Sequence, residues 1–158
     1  MEQLDAELPI RDIFAREIFD CDGNLTVETE VLAGEGIVGR VSVPSGADTG
    51  AEKAVEIINT HIAQELIGRN VFDQKEIDKA LIRLDGTEDK SALGTRAVFS
   101  VSAAAAKAAA AALKLPLYRY LGGVQAKSIP VPEVKAAAGV FLIPADGLPL
   151  RSQVKMCR

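Results

Sequence analysis

Val41-Ser42-Val43-Pro44-Ser45-Gly46-Ala47-Asp48-Thr49-Gly50 divides the chain into two halves of different periodicity. Before it, apolar residues follow the short period of strands; after it, they recur every three or four residues, as in helices. The stretch itself is small and polar, with glycine at positions 46 and 50. Glycine reaches backbone angles closed to other residues, so such a loop can lie close to a ligand or swing over one. A helix is expected to start just after it, and free N–H groups at a helix start favour anions. On these residues alone, a ligand loop and a plain strand-to-helix connection both stand.

Toward the N-terminus, Ile10 to Phe19 carries apolar residues on both parities, so both faces of this strand are expected to be covered. Asp20-Cys21-Asp22-Gly23-Asn24 follows, and Asp-Gly between two apolar runs signals a hairpin. Leu25 to Leu32 alternates, Gly34-Glu35-Gly36 turns the chain, and Ile37 to Val43 makes a third strand. Gly34-Glu35-Gly36-Ile37-Val38-Gly39 also fits the dinucleotide fingerprint G-x-G-x-x-G. That motif must open a helix whose N-terminus holds pyrophosphate, and here the residues continue as strand, so a nucleotide site is rejected.

Toward the C-terminus, Ala54, Ile57, Ile58, His61, Ile62 and Leu66 lie at helical spacing, and Gly68 stops the run. Asp73 with Glu76 forms a capping-box pattern ahead of Ile77, Ala80, Leu81 and Leu84, and Gly86 ends that helix. A third helix over about 91–114 contains the run from Ala103 to Leu113. Alanine loses little entropy in a helix and lets neighbours pack close, so this reads as a tightly packed central helix. Pro116 stops it, and Leu117 to Leu121 makes a short turn. Beyond, Pro130, Pro132, Pro144 and Pro149 interrupt an irregular tail. The fold class is α+β: a three-stranded antiparallel meander followed by a helical layer.

Net charge is −4 and no basic stripe appears, which argues against nucleic acid. The Ala103–Leu113 run is too short and too weakly apolar to span a bilayer, and the acidic start has no apolar leader. The expected location is the cytoplasm, with Cys21 and Cys157 reduced. Catalytic groups are sparse. His61, the one histidine, has no Ser, Cys or carboxylate motif beside it and reads as a structural or surface residue. Asp85-Gly86-Thr87-Glu88-Asp89 reads as a solvated turn between helices; its spacing is not that of an EF-hand calcium loop. No zinc or phosphate-loop pattern occurs.

Four stretches, in order, resemble the enolase (phosphopyruvate hydratase) family: Ala15-Arg16-Glu17-Ile18-Phe19-Asp20-Cys21-Asp22-Gly23-Asn24-Leu25-Thr26-Val27-Glu28, the loop Val43–Gly50, Leu84-Asp85-Gly86-Thr87-Glu88-Asp89-Lys90-Ser91-Ala92-Leu93-Gly94, and Leu115–Gly123. The resemblance spans about residues 10–132 and implies an enolase-type N-terminal domain. It divides the chain into a flexible tail over 1–8, that domain over 9–132, and a remnant of the barrel start over 133–158. It also implies the family's reaction in glycolysis, a lyase step interconverting 2-phosphoglycerate and phosphoenolpyruvate with magnesium, in which a lysine base removes the carbon-bound proton. The base, the acid and the principal metal carboxylates of that family sit on a C-terminal barrel. Such a barrel needs ~250 residues, and 37 follow Leu121 here.

The resemblance assigns Ser45, Gly46, Ala47, Asp48, Thr49 and Gly50 to the loop that closes over substrate, with Ser45 as its magnesium ligand. Several positions depart from the family. Asp22 stands for an arginine, Leu25 for a proline and Asp48 for a serine, and the segment after Gly50, usually long with an Arg-Asp-Gly-Asp run, is short. Ser45 alone offers one neutral oxygen, whereas magnesium wants several oxygen ligands, commonly carboxylate or phosphate. The expectation is a truncated enolase-like pseudoenzyme or interaction module, with no catalytic residue and no cofactor of its own. It would form a homo-oligomer, or bind a full-length enolase or another barrel-containing partner. A split enolase and a degenerate remnant are the alternatives.

Overall fold

The computed structural model describes residues 7–20, 23–44, 50–125, 133–136 and 139–142. Strands β1 (Ile10–Phe19), β2 (Leu25–Ala33) and β3 (Ile37–Ser42) form one antiparallel sheet in the order β1-β2-β3. Asp20 organises the first hairpin: its carboxylate accepts from the Asn24 N–H at 2.8 Å, and its own N–H donates to the Asn24 carbonyl at 2.9 Å. Gly34 and Gly36 hold positive φ in the second turn. The rejected fingerprint is therefore a turn leading into strand β3, as expected.

Strand β1 corrects the two-faced reading. Ile10 pairs with Ala33 and Asp12 with Leu32, so Arg11 is an extra residue at a bulge. The bulge switches parity and turns both Ile10 and Ile13 inward. Past it, Ile13 and Ala15 join Val27, Thr29 and Val31 on the core face. Asp12, Phe14, Arg16 and Ile18 share the outer face, where Phe14 is half exposed. The described residues thus cover only one face of this strand.

The helical half begins with α1 (Ala51–Ile57), a π turn (Ile58–Ile62) and α2 (Ala63–Leu66) in one continuous run. Its apolar stripe is buried as expected; His61 is exposed, in line with the surface alternative, and its Nδ1 lies 2.8 Å from the Thr60 hydroxyl. The π turn places Asn59 against the free edge of β1. Its Oδ1 accepts from the Ala15 N–H at 2.7 Å and its Nδ2 donates to the Ala15 carbonyl at 3.0 Å. One side-chain amide thereby stands in for a neighbouring strand. Removing it orphans both backbone groups of a buried residue, so Asn59→Ala is expected to lose about 2 kcal/mol in urea unfolding. A loss below about 0.5 kcal/mol would mean that water replaces the amide there.

Residues 68–71 hold the start of that edge. Ile10 N–H donates to the Arg69 carbonyl and Gly68 N–H to the Ile10 carbonyl, both at 2.8 Å. Leu8 N–H donates to Asn70 Oδ1 at 3.1 Å, and Val71 N–H to the Leu8 carbonyl at 2.9 Å. Leu8, expected from the sequence to lie in a tail over 1–8, is thus bonded to the domain; residues 1–6 lie outside the described residues.

Helix α3 (Gln74–Asp85) starts at Asp73, whose carboxylate accepts from the Glu76 N–H at 3.3 Å. The capping box is half made, because the Glu76 carboxylate pairs with Lys79 instead. Gly86 ends the helix in the left-handed region. Helix α4 (Thr95–Ala112) is the central helix, packed on β2 and β3 and touching α1, α3 and α5. Its alanines at 104, 105, 108 and 109 are fully buried. Gly39 of β3 is the contact point: a Cβ there would lie 2.0 Å from the Ala104 carbonyl oxygen and 2.4 Å from the Ala108 nitrogen. A buried polar link crosses this layer, Thr29 Oγ1 to Ser100 Oγ at 2.9 Å.

Helix α5 (Leu117–Gly122) replaces the expected short turn, and a 3₁₀ turn (Gly123–Gln125) follows. Within the stretch read as an irregular tail, β4 (Glu133–Ala136) and β5 (Gly139–Leu142) pair antiparallel as a separate two-stranded sheet. Residues 143–158 lie outside the described residues.

Candidate functional site

The candidate loop is defined by its two stems. Val43, just after β3, is buried; its N–H donates to the Val27 carbonyl at 3.0 Å, and its own carbonyl accepts from the Thr26 hydroxyl. Both bonds tie the first stem to β2. The second stem is Gly50, at the N-cap of α1, whose carbonyl accepts from the Ala54 N–H at 3.1 Å. Gly50 provides no side-chain cap, and Glu52 places a negative charge in the first turn. That charge complements the helix dipole and opposes an incoming anion. Ser45, Gly46, Ala47, Asp48 and Thr49 lie outside the described residues, as do Cys21, Asp22 and Cys157.

Beside the first stem, the outer sheet face carries a cross-strand ionic network. Arg16 pairs with Glu28, and with Glu30 at 2.8 Å; Arg40 Nε lies 2.9 Å from Glu30. Ser42 Oγ donates to Glu28 Oε2 at 2.9 Å. The ladder explains the grouping, since Arg16 lies opposite Glu28, Glu30 opposite Arg40 and Glu28 opposite Ser42. Each carboxylate is already matched by an arginine, which leaves little attraction for a cation. Phe14, Leu32 and Val38 extend this face with apolar surface.

The acidic turn after α3 corrects the solvated reading at its first residue. Asp85 is buried. Its Oδ1 accepts from the Thr87 N–H at 3.0 Å and from the Thr87 hydroxyl; its Oδ2 accepts from the Leu93 N–H at 2.8 Å. Burial alone would raise this carboxyl's pKa, but the Thr87 and Leu93 donors, with Lys90, outweigh it and hold the pKa below its ordinary value. Lys90, in a left-handed conformation, donates to the Thr87 and Glu88 carbonyls at 2.8 and 3.0 Å. Asp85 is thus a clip that fixes the α3–α4 connection.

An enolase N-terminal domain model matches residues 10–57 and 48–121, two stretches that overlap at the second loop stem. The chain belongs to the enolase N-terminal domain family. The meander and the packed alanine helix are this chain's form of that fold, as its sequence led us to expect.

Magnesium is a property of the family, and the described residues do not fit it. Among them, no three His, Cys, Asp or Glu side chains come together as a cation site. The nearest approach to an acidic cluster on the sheet is neutralised by Arg16 and Arg40. Asp85 spends its oxygens on backbone and hydroxyl donors. No helix among the described residues is long and apolar enough to cross a membrane. Sequence reasoning missed two residues that shape the region: Asn59, which no pattern marks, and Gly39, whose place inside a strand is itself a sign of close backbone approach.

Proposed function

We propose that these residues form an enolase-like domain that is non-catalytic by itself and acts by association, with copies of itself or with a barrel-containing enolase partner. The supporting observation is the apolar surface at the loop end of the sheet. Phe19 and Leu25 face each other across β1 and β2 and are 71% and 48% exposed. Phe14 and Val38, half exposed, make a separate apolar patch on the outer face. Monomeric proteins seldom leave such surface uncovered, and where they do it marks a contact. The chain is expected to give no phosphoenolpyruvate from 2-phosphoglycerate and magnesium when assayed alone. Steady turnover by the purified chain overturns the reading. Isothermal titration with magnesium chloride is expected to show no micromolar site.

A second reading, a split enolase, has its own support. Both loop stems are held by backbone bonds to β2 and to α1, so the loop could be presented to a barrel supplied in trans. Turnover by a mixture of this chain with a barrel-only chain, absent from either one alone, distinguishes it.

A further inference from the structure

The two edges of the sheet are finished differently. On β1, Asn59 and residues 68–71 occupy the outward backbone groups of Ala15 and Ile10. On β3, Val43 N–H points to β2, so the odd-numbered residues pair inward and Val38, Arg40 and Ser42 turn their N–H and carbonyl groups outward. Among the described residues, the single contact on those groups is Lys107 Nζ, which donates to the Arg40 carbonyl at 2.8 Å. Lys107 is exposed and swings away at little cost. Beside this edge runs a groove of about 370 Å³, walled by Val38, Arg40, Lys107, Ala110, Leu115 and Leu117. Its lining holds no carboxylate and two cations, of which Arg40 is paired with Glu30 and Lys107, among the described residues, with no carboxylate.

We propose that this edge and groove receive an extended segment of a partner protein, with alternating apolar and acidic side chains, as a fourth strand on β3. An open strand edge supplies main-chain hydrogen bonds to any extended peptide, and pockets beside it select the alternate side chains. Here Leu115 and Leu117 offer an apolar wall and Lys107 a cationic rim. A second copy of β3 is disfavoured, because two-fold pairing about Arg40 sets that arginine opposite itself and brings two Lys107 amines together. The edge is distinct from the loop and from the surface at Phe19 and Leu25.

The test is a fluorescence-anisotropy titration of the full chain with a short labelled peptide alternating valine and glutamate. Saturable binding is expected, weakened at least about tenfold by Lys107→Glu. Binding should be lost when alternate peptide nitrogens are methylated, and absent for the valine–lysine counterpart. Hydrogen exchange at the Val38 and Arg40 amides should slow in the complex. Lys107→Gln serves if the reversed charge disturbs folding. Equal binding by the methylated peptide or by the Lys107 variants overturns the proposal, as does no binding up to the solubility of the probe. Binding that appears only after removal of residues 1–6 overturns it too, because the occupant would then be the chain's own acidic start.

Discussion

Replacing Gly39 by alanine is expected to lower the stability of the domain by about 3 kcal/mol, and valine there to prevent folding. The reason is distance. An added Cβ would sit 2.0 Å from the Ala104 carbonyl oxygen and 2.4 Å from the Ala108 nitrogen. Both are backbone atoms in the middle of α4, so no side chain can rotate away. The helix would have to lift off the sheet and open the alanine layer behind it, which loses dispersion contacts all along the interface. Gly50→Ala is the control. A Cβ at Gly50 meets nothing within 4 Å and its φ is −51°, so its urea midpoint should hardly move. A Gly39→Ala midpoint equal to the parent's would mean that β3 and α4 do not approach as described.

Asp85→Ala is the second large effect, with an expected loss of about 3 kcal/mol. It strands the Leu93 and Thr87 N–H groups at a buried turn. Asp85→Asn keeps acceptor capacity and loses the charge, so its loss should be smaller. The two variants also carry a pH signature. The folded carboxyl titrates below its unfolded value, so the unfolded chain takes up protons first as pH falls. The stabilisation from Asp85 is therefore complete above the ordinary carboxylate range and is lost as pH falls through the folded pKa. The gap between parent and Asp85→Asn should narrow from about pH 6 to about pH 3. A gap constant over that range would show that the carboxylate charge contributes nothing to the clip.

Much of this fold is legible because its signals are local. Gly34-Glu35-Gly36 demands a turn whatever surrounds it, and Asp73 with Ile77, Ala80 and Leu81 specifies a capped amphipathic helix. The parity of β1 was not legible, because a bulge at Arg11 depends on how Ala33 and Leu32 are met across the ladder. The π turn at Ile58–Ile62 has the same character: it exists to bring Asn59 to Ala15, 44 residues away in sequence. Asp85 looked like one of several solvated acids. Only the return of the chain at Leu93 buries it and gives its carboxylate a second donor segment. Of the candidate loop, the sequence marked the boundaries well. Its stems lie at Val43 and Gly50, where strand periodicity gives way to helix periodicity.

The stems, the apolar surface at Phe19 and Leu25 and the family membership fit one another. We propose association as the domain's role on the support of that apolar surface. Sedimentation velocity across a range of concentrations, with the chain alone and mixed with a full-length enolase, tests this most directly. The account predicts a species heavier than the monomer, either a homo-oligomer of the chain or a complex with the enolase. A monomer of 16.7 kDa in both series, at every concentration, would contradict it.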